Sequence, residues 1–161
     1  MSARRKVSGE HDIASGMDRL IIRQGFVLIL LALLGGVVAP FMVNPRLGVG
    51  AHTLGVLGGL VLIAVGATKP AMRLERRLSF VMHASWFIAA YANWANTMVA
   101  GFTGASHLTP IAGAGTKGDD FSEWLVFVVY VIVGVTSVIG TAIAVYGLLG
   151  RRDRGASPRL R

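Results

Sequence analysis

Two asparagines three residues apart, Asn93 and Asn96, sit inside the apolar stretch "AAYANWANTMVAG" at 89–101. Each side-chain amide carries donors and acceptors that hydrocarbon leaves unsatisfied. In such surroundings amides either bond across helices or line a chamber that receives something polar. A second candidate is His52, within "GVGAHTLGVLGG" at 48–59. An ionisable residue inside an apolar span is a candidate functional residue, and imidazole is a common metal ligand. Gly48, Gly55 and Gly59 fall near its face at 3.6 residues per turn, which predicts an open slot beside the ring. A flat macrocycle lying in that slot could take the imidazole nitrogen as an axial ligand. The other reading is a histidine bonded to a neighbouring helix.

The remaining polar and aromatic candidates are fewer. Ala89, Ala90, Thr97 and Ala100 surround Asn93 with small side chains. Tyr91, Trp94 and Trp86 offer flat surface for a planar ligand. His83 lies near the opposite end of its span from Asn93, too far in depth from His52 to share one metal ion, and reads as interfacial. His107 reads as a surface residue of a loop, and Trp124 as an interface anchor. Asp119, Asp120 and Glu123 stand where a helix N-terminus favours acidic side chains. There is no cysteine, which excludes disulfides and thiolate chemistry.

The elements that must carry these groups follow from hydropathy. The chain has 161 residues, 53% hydrophobic and 15% charged, with a mean hydropathy of +0.62. That composition belongs to an integral membrane protein. Four apolar runs, at about 24–43, 47–67, 78–102 and 121–149, approach or exceed the ~20 residues that cross a bilayer as a helix. The expected fold is therefore all-α: a membrane-embedded four-helix bundle over 19–150, flanked by polar, loosely ordered tails at 1–18 and 151–161.

The formal charge of +8 is a topology signal. Fourteen of the sixteen Lys and Arg residues precede the first run, join the second to the third, or follow the fourth. Only Arg46 and Lys117 fall on the other side. The positive-inside rule places both termini in the cytoplasm, with the chain multi-pass in the membrane and no nucleic-acid partner. "NPR" at 44–46 makes an antiparallel hairpin. The long segment "TGASHLTPIAGAGTKGDD", 103–120, either caps a cavity or is a solvated linker. Gly55 and Gly59 form a GxxxG pair, and Gly134, Ser137, Gly140 and Thr141 place small residues along the fourth run. Both patterns suit close helix packing or self-association in a bilayer.

Taken together, "VNPRLGVGAHTLGVLGG", "YANWANTMVA" and "HLTPIAGAG" resemble the hydroxylaminobenzene mutases, small bacterial membrane enzymes that isomerise aryl hydroxylamines to 2-aminophenols. The likeness spans about residues 20–150. More distantly the chain is similar to styrene oxide isomerase, a four-helix membrane trimer with haem b between subunits. That resemblance implies a homotrimer, haem b held by His52 and Asn93 at the substrate oxygen. It also implies departures: Thr97 stands where the isomerase has a tyrosine, Ala89 where it has an aspartate, and Gly58 where it has an asparagine.

The resemblance thus implies an isomerase in which ferric haem b acts as a Lewis acid on the oxygen of a small aromatic substrate. Asn93, Asn96 and Tyr91 are the candidate catalytic residues, and His52, Gly55, Gly59 and Trp94 the candidate haem-binding residues, with His52 the metal ligand. Aryl epoxide isomerisation is the alternative activity. A haem electron carrier and a small membrane scaffold are the alternatives of another class.

Overall fold

A computed structural model describes residues 2–149, with side chains from residue 16 onward. Its described residues are helical, without a strand. Four long helices carry the chain: α1 (Ser2–Val38), α2 (Pro45–Thr68), α3 (Arg76–Thr103) and, after the four-residue α4 (Pro110–Gly113), α5 (Asp120–Leu148). α1 begins at Ser2, so the backbone of the polar stretch expected to be loosely ordered is helical from there. The stretch 151–161 lies outside the described residues.

Helix punctuation follows the sequence closely. Pro45 occupies the first turn of α2, where its missing N–H costs nothing, and Asn44 caps that helix by accepting from the Leu47 N–H at 3.1 Å. Asp119 does the same for α5, accepting from the Ser122 N–H at 2.6 Å. α3 ends at Gly104, whose φ of 76° lies in the left-handed region that glycine enters without strain.

Three helical stretches are long and apolar enough to cross a membrane: Gly16–Phe41, Pro45–Ala71 and Asp120–Leu148. The remaining expected span, 78–102, lies within one continuous helix, α3, whose 28 residues run roughly 42 Å at ~1.5 Å per residue. Its composition does not qualify by itself, because Ser79, His83, Ser85, Asn96 and Thr97 dilute its hydropathy. All five are buried. α3 turns its polar side chains inward, as a helix in an apolar medium must if they are to find partners.

The helices pack in a row. α1 lies against α2, α2 against α3, and α3 against α5, with lighter contact between α1 and α3. Close approach depends on missing side chains. A Cβ on Gly59 would stand 2.5 Å from the Gly25 carbonyl oxygen of α1, and one on Gly66 2.7 Å from Ile22. At the other side of the row, Gly140 of α5 receives the indole of Trp86, which would lie 2.9 Å from a Cβ there.

Candidate functional site

His52 projects from α2 toward α1, where its Nδ1 lies 2.9 Å from the carbonyl oxygen of Ala32. A carbonyl only accepts, so Nδ1 carries the proton and Nε2 is left with its lone pair. Among the described residues no hydrogen bond reaches Nε2. This is the tautomer and the anchoring that a metal-ligating histidine needs: one nitrogen fixed on a backbone carbonyl, the other free. Of the two sequence readings of His52, the bond to a neighbouring helix is present, and that bond leaves the second nitrogen unengaged.

The space beside the ring comes from a different glycine than the spacing suggested. Gly48 is filled by Ala39 and Met42 just after α1, and Gly55 and Gly59 face α1 itself. Their Cβ atoms would stand 2.7 Å from the Ala39 Cβ, 2.5 Å from the Ala32 Cβ and 2.5 Å from the Gly25 carbonyl oxygen. The expected slot is thus a helix contact. Gly36 of α1 opens the room instead, since a Cβ there would lie 2.7 Å from His52 Nδ1. With Leu33, Val37 and Val49 it lines a groove of about 260 Å³ that His52 borders. Val37 is 71% exposed and Leu33 and Val49 are also exposed, so the groove opens on the outer flank of α1 and α2.

No residue of α3 lines that groove. Trp94 packs its indole at the meeting of three helices, against Gly55 of α2 and near Gly35 of α1. Its buried Nε1 has no hydrogen-bond partner. Tyr91 lies against Phe87 and donates its phenol to Gln24 of α1, with the backbone and side-chain oxygens each at 2.9 Å. Tyr91 is two residues from Asn93, about 200° around the helix. The chamber expected from matching His52 and the asparagines in depth is therefore not closed within one copy of the chain.

The two asparagines separate. Asn96 is 5% exposed and donates from Nδ2 to the Val126 carbonyl of α5 at 3.0 Å, tying the two helices. Asn93 is half-buried, and among the described residues nothing bonds its side chain. One turn further along that face, Thr97 donates to the Asn93 carbonyl at 2.8 Å and lies 3.1 Å from the hydroxyl of Tyr130 on α5. Tyr130 gave no signal in the sequence, where it reads as one aromatic in an apolar run.

Two further histidines are placed clearly. His83, expected at the interface, is only 3% exposed and lies between α3 and α1, with Nε2 3.7 Å from the Asp18 carboxylate. The reason is the light α1–α3 contact, which covers that face of α3. His107 is exposed, as expected, and its backbone N–H is engaged by Glu123.

The segment between α3 and α5 is a bonded cap, not a solvated linker. Glu123 accepts from the backbone N–H groups of Ser106, His107 and Gly118 at 3.0, 2.9 and 3.1 Å. From the other side, buried Asn44 donates to the Gly113 carbonyl and the Thr116 hydroxyl, each at 2.9 Å. Glu123, expected only to favour a helix N-terminus, is thus the fastening of the loop.

Hydroxylaminobenzene mutase HabB of Ectopseudomonas oleovorans is 34% identical over 133 residues, covering 82% of this chain and 81% of that protein. Hydroxylaminobenzene mutase HabA of the same organism is 32% identical over 111 residues, covering 68% of this chain and 82% of its own. No solved structure matches the chain significantly. The profile of the styrene oxide isomerase family matches residues 17–149, which takes in α2, α3, α5, the cap and nearly all of α1's side chains described above. The chain is an isomerase, and it belongs to the styrene oxide isomerase family.

Proposed function

We propose that the chain rearranges aryl hydroxylamines to 2-aminophenols in the bacterial inner membrane, with haem b held by His52. Four spans, both termini in the cytoplasm and a homotrimeric assembly complete this reading. The observation that carries it is the bond from His52 Nδ1 to the Ala32 carbonyl, which leaves Nε2 bare beside an apolar groove. The relatedness to two hydroxylaminobenzene mutases supports the substrate class.

The residues present suit haem. Nε2 of His52 would hold the iron, Gly36 gives the imidazole its room, and Leu33, Val37 and Val49 would supply apolar surface for the macrocycle. Bound there, haem would supply Lewis acidity toward the substrate's oxygen. Because the groove opens outward on α1 and α2, a second copy of the chain supplies the opposite wall and brings its own Asn93. The unpartnered amide of Asn93 then holds the substrate oxygen by hydrogen bonding. Oxygen passes from nitrogen to the ortho carbon, the ring sheds its proton there and nitrogen takes one up. Substrate and product are isomers, so no redox partner enters.

Aryl epoxide isomerisation is the second reading, favoured by the description of the matching family. Against it, Gly58 and Ala89 are spent on packing, with a Cβ on Gly58 only 3.2 Å from Ala90 and Ala89 itself buried.

The test is an absorption spectrum of the purified protein before and after phenylhydroxylamine. A Soret band that shifts on addition, with 2-aminophenol as product, is the expected result. A colourless active protein, or His52→Ala that keeps both pigment and activity, overturns the reading.

A further inference from the structure

The chain of hydrogen bonds beside Asn93 has a fixed direction. Thr97 has one hydroxyl proton, and it is given to the Asn93 carbonyl 2.8 Å away, an oxygen that can only accept. Thr97 Oγ1 therefore meets the Tyr130 hydroxyl, 3.1 Å away, as the acceptor. The phenol proton of Tyr130 is committed to Thr97, and what its oxygen still offers is lone pairs. Tyr130 is only partly buried, and Asn93, one helical turn before Thr97 on the same face of α3, has a free side-chain amide. The pair presents one obligate acceptor and one amide that can donate or accept.

We propose that Tyr130 is a specificity-determining residue, accepting a hydrogen bond from the N–H or O–H of the substrate and so selecting hydroxylamines over epoxides. This rests on the reading that Asn93 holds the substrate oxygen. An aryl hydroxylamine brings both a donor and an acceptor, and fits the Asn93–Tyr130 pair with every group paired. An epoxide oxygen has no proton and sets lone pairs against lone pairs. A site built around a hydrogen bond discriminates strongly against the analogue that cannot make it, because its own polar group is left unpaired.

The experiment uses membranes containing the full chain, assayed with phenylhydroxylamine and with styrene oxide. Tyr130→Phe keeps the ring and removes the acceptor. It is expected to lower kcat/KM for phenylhydroxylamine about tenfold or more, without lowering that for styrene oxide. Thr97→Val frees the phenol proton to turn toward the substrate, and is expected to raise kcat/KM for the epoxide. Equal loss on both substrates in Tyr130→Phe, or an unchanged substrate ratio in both variants, overturns the assignment while the hydroxylamine activity of the wild type stands. A wild type that converts neither substrate overturns the assignment together with the reading beneath it. If the variants do not fold, inhibition of the wild type by benzyl alcohol and benzyl fluoride decides. Tighter inhibition by the alcohol supports the acceptor, and equal inhibition overturns it.

Discussion

His52 of α2 and Ala32 of α1 are joined at 2.9 Å, imidazole nitrogen to backbone carbonyl, across the pair of helices that pack most closely. The bond makes α1 a partner in aiming Nε2, the nitrogen proposed to hold haem. Gly36, one turn beyond Ala32, leaves just the space the ring needs. Gly36→Ala places a methyl 2.7 Å from Nδ1, and on the proposed reading should weaken retention of haem by about 10- to 100-fold, as loss of a ligand's supporting contact does. Haem content per protein, read from the Soret band, checks this.

Asn93 and Asn96 should part in their effects. Asn96→Leu removes the tie to Val126 and is expected to cost about 0.6–2 kcal/mol of stability, with activity reduced only through that loss. Asn93→Ala breaks no side-chain bond among the described residues, so its unfolding midpoint in detergent should be unchanged while turnover falls at least tenfold. Melting curves and product formation measured side by side separate the two.

Gly55→Ala tests the three-helix contact. Its new methyl meets Ala32 at 2.5 Å and Trp94 at 2.6 Å. Neither neighbour is the free end of a flexible chain, and overpacking of that kind costs about 1–3 kcal/mol. Thermal unfolding in detergent should show the drop, and Trp94 fluorescence should shift.

Asn44→Ala loses both an N-cap and the loop's inner fastening. The cap alone is worth about 0.5–2 kcal/mol. Backbone amides of 104–118 should then exchange hydrogen faster, while those in the middle of α3 keep their protection.

Acid sensitivity should report on the start of α5. The Ser122 backbone N–H holds the Asp119 carboxyl below its ordinary value. A lowered folded-state value means that the contribution is complete above the usual carboxylate range and is lost as pH falls through the lowered value. Asp119→Asn, which keeps an accepting oxygen without the charge, should flatten the acid limb of a stability-against-pH curve.

What the sequence disclosed was whatever depends on local pattern. Pro45 after Asn44, the acidic residues at 119–123 and the lengths of the apolar runs placed the ends of α2, α3 and α5 within a few residues, but not the start of α1, which lies well before the expected run. His52 and Asn93 stood out because a polar group in an apolar run needs a reason. What stayed hidden depends on which helix lies on which. The spacing of Gly48, Gly55 and Gly59 was visible, but whether α1 or a ligand fills that face was not. Gly36, Gln24 and Tyr130 acquire meaning only from residues 16, 67 and 33 positions away, the separations that α1–α2, α1–α3 and α3–α5 packing bring together.

The fastening of the cap has a consequence for substitution. Glu123 holds three backbone N–H groups, and Asn44 reaches two backbone carbonyls and a single side chain, that of Thr116. The latch grips the main chain almost entirely and is indifferent to most of the side chains it carries. Leu108, Ile111 and Lys117 contribute no side chain to these bonds, so replacing them leaves the frame shut.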